Sequence, residues 1–529
     1  MNKIALTDEQ KSAIEQIKHG GNYVILGGAG TGKSTLLQEL RDEIPDAVFA
    51  APTGAAAQRI GGVTLNSLFR IPPHPYITTP TLELISDKKP REIISSIRTL
   101  VIDEVSMVRA DMLAAVDYRL RQYGPCGCEQ KTFGGRQVIL CGDWFQLPPV
   151  VTNDDVGGVS VGERLETDMG GIYPFCAPIW RNSRFAPIYL RHNLRQDGDR
   201  DFQECLAAFR SGDPARHQRA LQKLNSRVCS DFPDNAVYLC PRRSEACEIN
   251  NREARKINTE ERTFQATISG DFTKDFPVPL TLRLKLGDRV IIAVNIAGIP
   301  NGTVGIVSAF GDDGVTVKLG NGREVFVGPH EFPKIGYRTI EDPITHEKRP
   351  TPFEVGSLRQ LPLLPGYAIT IHKSQGMTLP SVVFDRGNNG CFAHGQCYVA
   401  VSRVRRLKDL FLVRPLELSD IVVAPEVLSA DEIFRCDLDL WVDCVLQILE
   451  AYSEEIDKGF LLGPREAEEM LAKTVSEYDR RFEQDDHCSP DANESTTYWC
   501  KMLRMTYLKM VDCHSVLKIF SKLYQTLEL

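Results

Sequence analysis

Residues 27–35, GGAGTGKST, combine a glycine-rich turn with a lysine and hydroxyl side chains at a spacing that suits a chain of phosphates. Glycines allow backbone N–H groups to close around phosphates without Cβ clashes, and a helix start adds partial positive charge. In this pattern Lys33 would reach the β- and γ-phosphates, and the Ser34 hydroxyl would ligate Mg²⁺. The apolar run 23–26 and the helical pattern 35–40 supply the strand and helix that must flank such a loop. We therefore predict a nucleotide site formed by Gly27, Gly28, Ala29, Gly30, Thr31, Gly32, Lys33, Ser34 and Thr35. An exposed glycine-rich turn is the alternative, and the intact flanks disfavour it.

Two carboxylates, Asp103 and Glu104, follow the apolar run 99–102. Carboxylates at the end of a core strand are costly unless they serve a cation or a reaction. Asp103 would hold Mg²⁺ through water, and Glu104 would orient or deprotonate an attacking water. An exposed acidic turn is the ordinary interpretation of an isolated pair, but a phosphate loop in the same chain favours a hydrolase.

Three further side chains have the chemistry to contact a nucleotide. The amide of Gln10 matches the donor and acceptor that adenine presents, although Gln10 also fits a helix cap that begins at Thr7. Gln146, within GDWFQLPP at 142–149, is placed to touch a γ-phosphate or to link it to bound nucleic acid. Arg403 is the candidate arginine finger, because a guanidinium can neutralise charge that develops on a transferring phosphate.

Hydroxyl, amide and basic side chains recur where strands are predicted to end. Thr53 follows such a strand, and ligands bind at the carboxyl edge of parallel sheets. Residues 62–69 and 372–378 carry further groups that suit a nucleic-acid backbone. A plain strand-to-helix turn and an ordinary loop histidine, His372, are the alternatives. The aromatic pair 144–145 has the chemistry either to stack on bases or to pack in the core.

Composition and charge place these segments in a multidomain globular protein. The chain has 529 residues, of which 42% are hydrophobic and 25% charged, and it contains no apolar run of eighteen or more. Residues 416–529 carry 24 acids and 11 bases, a net charge of −13, whereas the remainder is net +5. The mildly basic part permits a groove for a polyanion. The N-terminus lacks an apolar secretory segment, so the fifteen cysteines are expected to be reduced thiols of a cytosolic or nuclear protein.

The motifs in their order along the chain resemble those of the PIF (petite integration frequency) DNA helicases, in the RecD-like branch of superfamily-one helicases. The resemblance covers about residues 5–415. It rests on LTDEQ at 6–10, GGAGTGKST at 27–35, APTGAAA at 51–57, VIDEVSMV at 101–108, GDWFQLPPV at 142–150, NLRQ at 193–196, ITIHKSQGMTL at 369–379 and YVAVSRVRRL at 398–407. The segment 112–140, which ends in FGGRQVIL, resembles the segment that distinguishes this family from its RecD relatives. Two positions depart from the pattern, since Asn66 replaces the usual histidine and Thr132 the usual proline.

The resemblance implies a role for each matching side chain. It assigns adenine to Gln10, the phosphates to Lys33, and Mg²⁺ to Ser34 and Asp103. It assigns catalysis to Lys33, Asp103, Glu104, Gln146, Arg195 and Arg403, with Arg195 and Arg403 neutralising charge in the transition state. It assigns single-stranded DNA to Thr53, Gly54, Thr64, Asn66, His372, Lys373 and Thr378.

The implied fold is α/β, with two RecA-like parallel-sheet P-loop domains that bind ATP between them. The first would span residues 1–184 and carry a small inserted wedge subdomain at 71–96. The second would comprise 185–302 and 361–415, and an SH3-like β barrel would be inserted at 303–360. Residues 416–529 read as an acidic helical accessory region that matches no motif.

The implied activity is that of an ATP- and Mg²⁺-dependent DNA helicase that moves 5′→3′ on single-stranded DNA. Its substrates would be duplex, forked or G-quadruplex DNA, and its role genome maintenance, including replication, repair, recombination and telomere maintenance. We expect a monomer without membrane contact, in the cytoplasm or, in a eukaryote, the nucleus or mitochondrion, with a possible protein partner at the C-terminal region.

Two other functions fit parts of the pattern. A nucleic-acid-stimulated ATPase could remodel RNA or protein–DNA complexes without processive unwinding. A phosphate-loop switch that works through the acidic tail would need neither Arg403 nor Glu104, so those residues count against it.

Overall fold

The first domain is built on a six-stranded parallel sheet with strand order β3-β2-β4-β5-β1-β6. The computed structural model describes residues 6–272, 276–296, 298–342 and 345–435. The central strands are almost wholly buried, as expected of strands that helices cover on both faces. The strands are β1 (Tyr23–Gly27), β2 (Val48–Ala51), β3 (Val63–Thr64), β4 (Thr99–Ile102), β5 (Gln137–Gly142) and β6 (Ala186–Leu190).

Eight helices surround or extend this sheet. They are α1 (Asp8–Lys18), α2 (Lys33–Glu43), α3 (Gly54–Arg59), α4 (Leu65–Phe69), α5 (Lys88–Ser96), α6 (Ala110–Gln122), α7 (Val161–Met169) and α8 (Pro178–Asn182). Apolar residues of α1 and α2, spaced three and four apart, pack against strands β1, β4 and β5 in one core cluster. This packing fixes the start of α2, and therefore the phosphate loop, against the centre of the sheet.

The chain then builds the start of a second domain. It runs through α9 (Arg200–Ala208), α10 (Pro214–Asn225), β7 (Val237–Cys240) and α11 (Arg243–Arg255). Asp199 and Asp213 cap α9 and α10 by accepting backbone N–H groups.

A β module interrupts the second domain between α11 and its next parallel strand. Its ten strands are β8 (Glu261–Gln265), β9 (Thr267–Gly270), β10 (Thr281–Lys285), β11 (Arg289–Ile292), β12 (Val304–Phe310), β13 (Val315–Leu319), β14 (Glu324–Val327), β15 (His330–Glu341), β16 (Lys348–Gln360) and β17 (Leu363–Pro365). They form an antiparallel five-stranded sheet, β14-β13-β12-β11-β17, a three-stranded sheet, β15-β16-β9, and the pair β10-β8. An SH3-like arrangement of these strands stays a prediction.

The second domain resumes with a four-stranded parallel sheet in the order β18-β7-β19-β20. The remaining elements are β18 (Ala368–Thr370), α12 (Ile371–Ser374), β19 (Val382–Phe384), α13 (Gln396–Val401), β20 (Leu410–Leu412) and α14 (Pro425–Arg435). The segment 371–378 therefore begins at the carboxyl end of β18, and α11 begins at the carboxyl end of the neighbouring strand β7.

The two parallel sheets agree with the expected α/β class, but several boundaries differ from the sequence-based ones. Strand β6 pairs with β1, so the first sheet extends beyond residue 184. The β module runs from Glu261 to Pro365 and is wider than 303–360, because β8–β11 and β17 complete its sheets. Of the acidic region 416–529, residues 436–529 lie outside the described part of the chain. Every described helix is too short or too polar to cross a bilayer.

Candidate active site

The phosphate loop lies between the end of β1 and the start of α2, as the flanking pattern predicts. Gly30 and Gly32 have φ values of +90° and +83°, a conformation that favours glycine. The Lys33 ammonium lies across the loop and donates to the carbonyl oxygens of Gly27 and Gly28, at 2.8 and 3.0 Å. Ser34, in the first turn of α2, is exposed. The loop thus presents its lysine, a hydroxyl and a helix N-terminus together, which is the chemistry that a phosphate chain requires.

Gln10 lies against this loop from the start of α1. Its Nε2 donates to the Gly32 carbonyl at 3.0 Å, and its Oε1 accepts the Thr7 N–H at 2.9 Å. The Thr7 hydroxyl in turn accepts the Gln10 N–H at 3.3 Å, so the expected helix cap is present. The adenine contact of Gln10 stays a prediction.

Asp103 and Glu104 leave the end of β4 and are both buried. Asp103 Oδ2 is shielded from solvent and has no hydrogen-bond partner among the described residues. Burial and the Glu104 charge raise the pKa of Asp103 to about 6, while Arg59 and Lys33 oppose that rise. Asp103 Oδ2 lies 3.6 Å from Arg59 Nη2, an ion pair without a hydrogen bond. A buried carboxylate oxygen that lacks a hydrogen-bond donor, near the lysine of a phosphate loop, fits a divalent cation. Asp103, with the Ser34 hydroxyl, would therefore hold Mg²⁺ here.

Glu104 is held by side chains from both domains. Its backbone is left-handed, with φ +50°, which turns the chain sharply at the end of β4. Arg59 Nη2 donates to Glu104 Oε1 at 2.5 Å, and Gln375 Nε2 donates to Glu104 Oε2 at 2.9 Å. Gln375 also lies 3.4 Å from Gln146 Oε1. The carboxylate predicted to act on water and the predicted γ-phosphate sensor thus share one amide of the second domain.

The two predicted arginines face this site, Arg195 from the segment between β6 and α9 and Arg403 from the second domain. Leu194 N–H donates to the Gly30 carbonyl at 2.9 Å, so the segment that carries Arg195 packs directly on the phosphate loop. Arg195 Nη1 donates to the Ser402 carbonyl at 3.2 Å, next to Arg403. Burial lowers the pKa of Arg195 to about 10. For Arg403, burial and then the nearby Arg195 charge lower the pKa to about 9.

Two more residues, both from the second domain, touch the phosphate loop, and the sequence analysis did not assign them a role. The Tyr398 hydroxyl accepts the Ala29 N–H at 2.9 Å. Arg210 Nη1 donates to Asp143 Oδ1 at 2.8 Å and lies 3.4 Å from the Tyr398 hydroxyl. Asp143 also accepts from Gln146 Nε2 at 3.0 Å. No local pattern marks Arg210, because its partners lie far away in sequence.

The DNA-contact candidates of the first domain cap short helices. Thr53 accepts the Ala56 N–H and precedes Gly54, the first residue of α3. Thr64 caps α4 in the same way, and Asn66 in that helix donates to the Ile71 carbonyl at 3.2 Å. Their side chains are partly exposed, at the carboxyl edge of the sheet.

In the second domain, the candidates lie at the corresponding sheet edge. His372 and Lys373 are exposed on α12, and Thr378 is half-buried next to Gly302 of the β module. The structure adds Phe392 at this edge, 56% exposed, with the Arg242 guanidinium 4.8 Å from its ring centre.

The aromatic pair 144–145 has the core role and not the stacking role. Trp144 and Phe145 are each 1% exposed, and Trp144 packs edge-on against Phe175 and Trp180. Bases cannot reach these rings, because neighbouring aromatic side chains already cover them.

A cleft of about 1920 Å³ separates the walls that carry these groups. Its lining includes Ser34 and Arg59 from the first domain, Arg195 from the segment after β6, Thr378 and Arg405 from the second domain, and residues of the β module. A ligand in this cleft would therefore contact both domains.

Comparison with known proteins supplies independent information. The sequence profile of the PIF1-like helicases matches residues 5–213. The chain is 32% identical to the ATP-dependent DNA helicase Pif1 of Bdellovibrio bacteriovorus over 81% of its own length and 92% of that protein. It is 30% identical to human ATP-dependent DNA helicase PIF1 over 77% of its length, and it spans 60% of the human protein.

Solved structures give the same result. Bacteroides sp Pif1 in complex with ADP-AlF4 is 29% identical, with a TM-score of 0.72, over 82% of this chain and 97% of that one. Bacteroides Pif1 bound to single-stranded DNA is 30% identical, with a TM-score of 0.56, over 81% of this chain and 96% of that one.

Proposed function

The chain belongs to the PIF1-like helicase family and is an ATP-dependent DNA helicase, and we propose that it moves 5′→3′ along single-stranded DNA through the residues described above. One observation carries the assignment of residues. Glu104, at the end of a strand in the first domain, accepts a hydrogen bond from Gln375 in the second. Because Gln375 follows the predicted DNA contacts His372 and Lys373, hydrolysis and DNA binding would share one segment.

In the proposed reaction, the loop N–H groups and Lys33 bind the β- and γ-phosphates. Ser34 and Asp103 would hold Mg²⁺, which would neutralise charge on the phosphate oxygens. Glu104 orients the attacking water and accepts its proton, and Gln146 contacts the γ-phosphate. Arg195 and Arg403 neutralise the charge that develops on the transferring phosphoryl group.

ATP binding would draw the second domain against the phosphate loop, and hydrolysis would release it. Thr53, Gly54, Thr64 and Asn66 would hold DNA on the first domain, and His372, Lys373 and Thr378 on the second. If the two grips differ in strength between the closed and open states, each cycle moves the strand in one direction.

Strand displacement tests the polarity. A duplex with a 5′ single-stranded tail should be unwound and one with a 3′ tail should not. Unwinding of the 3′-tailed duplex alone would reject the direction. ATP hydrolysis stimulated by RNA or DNA without strand separation would instead favour the remodelling ATPase.

A substitution in the loop tests the site. K33A should lower the rate of ATP hydrolysis by at least about a hundredfold, because the phosphate charge loses its partner. K18A, at the exposed end of α1, is the matched control and should keep full activity. A fully active K33A protein would reject the assignment.

Substrates and surroundings follow from the same proposal. We expect forked and G-quadruplex DNA to be substrates in replication, repair, recombination or telomere maintenance. We also propose action as a monomer, in the cytoplasm or, in a eukaryote, the nucleus or mitochondrion. The acidic C-terminal region, 416–529, would offer a site for a protein partner.

A further inference from the structure

Both oxygens of the Glu104 carboxylate are engaged by donors from segments that are predicted to contact DNA. Arg59 Nη2 donates to Oε1 at 2.5 Å, and Gln375 Nε2 donates to Oε2 at 2.9 Å. Arg59 also lies 3.6 Å from Asp103 Oδ2. A water molecule that gives its proton to Glu104 must compete with these two donors for the lone pairs of the carboxylate. In this arrangement Glu104 is restrained.

Arg59 connects Glu104 to the first DNA segment. It is the last residue of α3, whose first residue is Gly54. Six helical residues rise by about 9 Å, so a shift of this helix at its DNA end moves Arg59 relative to the sheet. The Arg59 side chain is 28% exposed, whereas that of Glu104 is 11% exposed. The donor can therefore withdraw toward solvent while the carboxylate stays enclosed.

Gln375 connects Glu104 to the second DNA segment. It follows α12, which carries His372 and Lys373, and precedes Thr378. The neighbouring Gly376 has φ +80°, and any side chain at that position would occupy the place of the Arg59 guanidinium. The two donor segments thus touch each other as well as Glu104, and movement of one changes the space available to the other.

We propose that Arg59 and Gln375 are positioning residues that restrain Glu104 until single-stranded DNA binds α3 and segment 371–378, and that DNA binding withdraws them. The inference rests on the proposed function. In it, DNA stimulates hydrolysis by freeing a carboxylate that is already in place, and not by building the ATP site. No covalent step is added to the reaction.

The test compares ATP hydrolysis with and without single-stranded DNA in R59A, R59K, Q375A and the double variant R59A/Q375A. R59A should raise the DNA-free rate by about tenfold, the lower end of what a charge-assisted hydrogen bond is worth, and change the rate at saturating DNA by less than about twofold. Q375A should do the same to a smaller extent, and R59K should keep part of the restraint because lysine retains a positively charged N–H donor. Q58A, on the same helix, is the control, since the Gln58 side chain makes no hydrogen bond or ion pair with the described residues.

Several outcomes would overturn the inference. If R59A lowers the rates with and without DNA by the same factor, Arg59 supports Glu104 at all times. If neither rate changes, the ion pair between Arg59 and Glu104 has no effect on hydrolysis. Binding of a fluorescent ATP analogue, measured on each variant, separates these results from loss of folding. A wild-type protein whose ATPase ignores DNA would instead reject the proposed function itself.

Discussion

The Tyr337 hydroxyl accepts a hydrogen bond of 3.0 Å from the backbone N–H of Phe49. Tyr337 belongs to the long β15–β16 hairpin of the β module, and Phe49 lies in β2 of the first sheet. Phe49 pairs with β4 on one side of β2 but precedes the residues that pair with β3 on the other side. The hairpin therefore supplies a hydrogen-bond acceptor where β3 does not reach. The contact is buried, since Tyr337 is 6% exposed.

Removing this hydroxyl should destabilise the protein. Y337F leaves the Phe49 N–H buried without a partner, which costs about 1–3 kcal/mol. The free energy of unfolding, measured with denaturant, should fall by that amount. Y23F is the control, because the Tyr23 hydroxyl bonds the Gln16 carbonyl at an exposed position. Equal losses in the two variants would contradict a buried hydrogen bond at Tyr337.

Ion pairs between the same hairpin and the first domain should contribute less than this buried hydrogen bond. Lys348 pairs with Glu92 at 2.8 Å, and Arg349 with Asp46 at 3.3 Å, both partly exposed. Exposed pairs of this kind are worth up to about 1 kcal/mol and weaken in salt. K348A should therefore change the free energy of unfolding less than Y337F does, and the effect of K348A should shrink in high salt. A loss that salt does not affect would contradict this view.

Arg403 should matter for the rate of hydrolysis more than for ATP affinity. Loss of an arginine that neutralises the transition state lowers kcat by about 10³-fold or more. R403A and the charge-conserving R403K should therefore both be slow, while binding of a fluorescent ATP analogue changes little. R406A is the control, because Arg406 is exposed and pairs with Asp409. If R403K hydrolyses ATP at the wild-type rate, charge alone suffices and the buried geometry is not required.

Phe392 should take part in binding DNA. Its exposed ring lies at the carboxyl edge of the second sheet, close to Arg242, and stacking of a base on such a ring is worth about 1–3 kcal/mol. F392A should weaken binding of a single-stranded oligonucleotide by about tenfold, as measured by fluorescence anisotropy. F326A is the control, since Phe326 is 54% exposed but lies on the β module. Equal effects would rule out a specific stacking site.

Lys373 should contribute to DNA binding through its positive charge, without preference for a DNA sequence. Neutralising one phosphate of single-stranded DNA changes the slope of log affinity against log salt by about 0.7. K373A should reduce the slope by about that amount and weaken binding to all sequences alike. A variant with an unchanged slope would show that Lys373 makes no phosphate contact. Burial and then the nearby Arg243 charge lower the pKa of Lys373, so R243A serves as a second variant at the same edge.

Local patterns predicted the parts of the site that are local. The strand, glycine turn and helix start around residues 27–35 appear where the flanking residues placed them, because backbone conformation there depends on neighbours in sequence. The cap formed by Thr7 and Gln10 was found for the same reason. Residues 151–171 are rich in Gly, Asp and Val, a composition typical of a loop, but they contain α7. Its cap, in which Ser160 and Glu163 exchange hydrogen bonds, was present in the sequence as a serine followed three residues later by a glutamate.

Contacts between distant segments left no such signal. Arg59 and Gln375 are 316 positions apart, yet both bond Glu104. Neither residue type is unusual, and only the meeting of the two domains gives them this role. The predicted domain boundary at residue 184 differs from the structure for a similar reason, because β6 joins the first sheet by pairing with β1. A short strand with two exposed residues at its start shows little hydrophobic periodicity in the sequence.

Under the proposed mechanism, burial of the Arg403 guanidinium restricts when this side chain can reach the transferring phosphate. Its nitrogens donate to the carbonyl oxygens of Val399, Ser374 and Met377 and to the Ser402 hydroxyl. The side chain therefore has no free rotation with which to search for a phosphate, and it advances only when the whole domain does. Two of its acceptors belong to the segment 371–378 that would hold DNA. One movement of this domain would then both shift the DNA strand by one nucleotide and bring Arg403 to the phosphate.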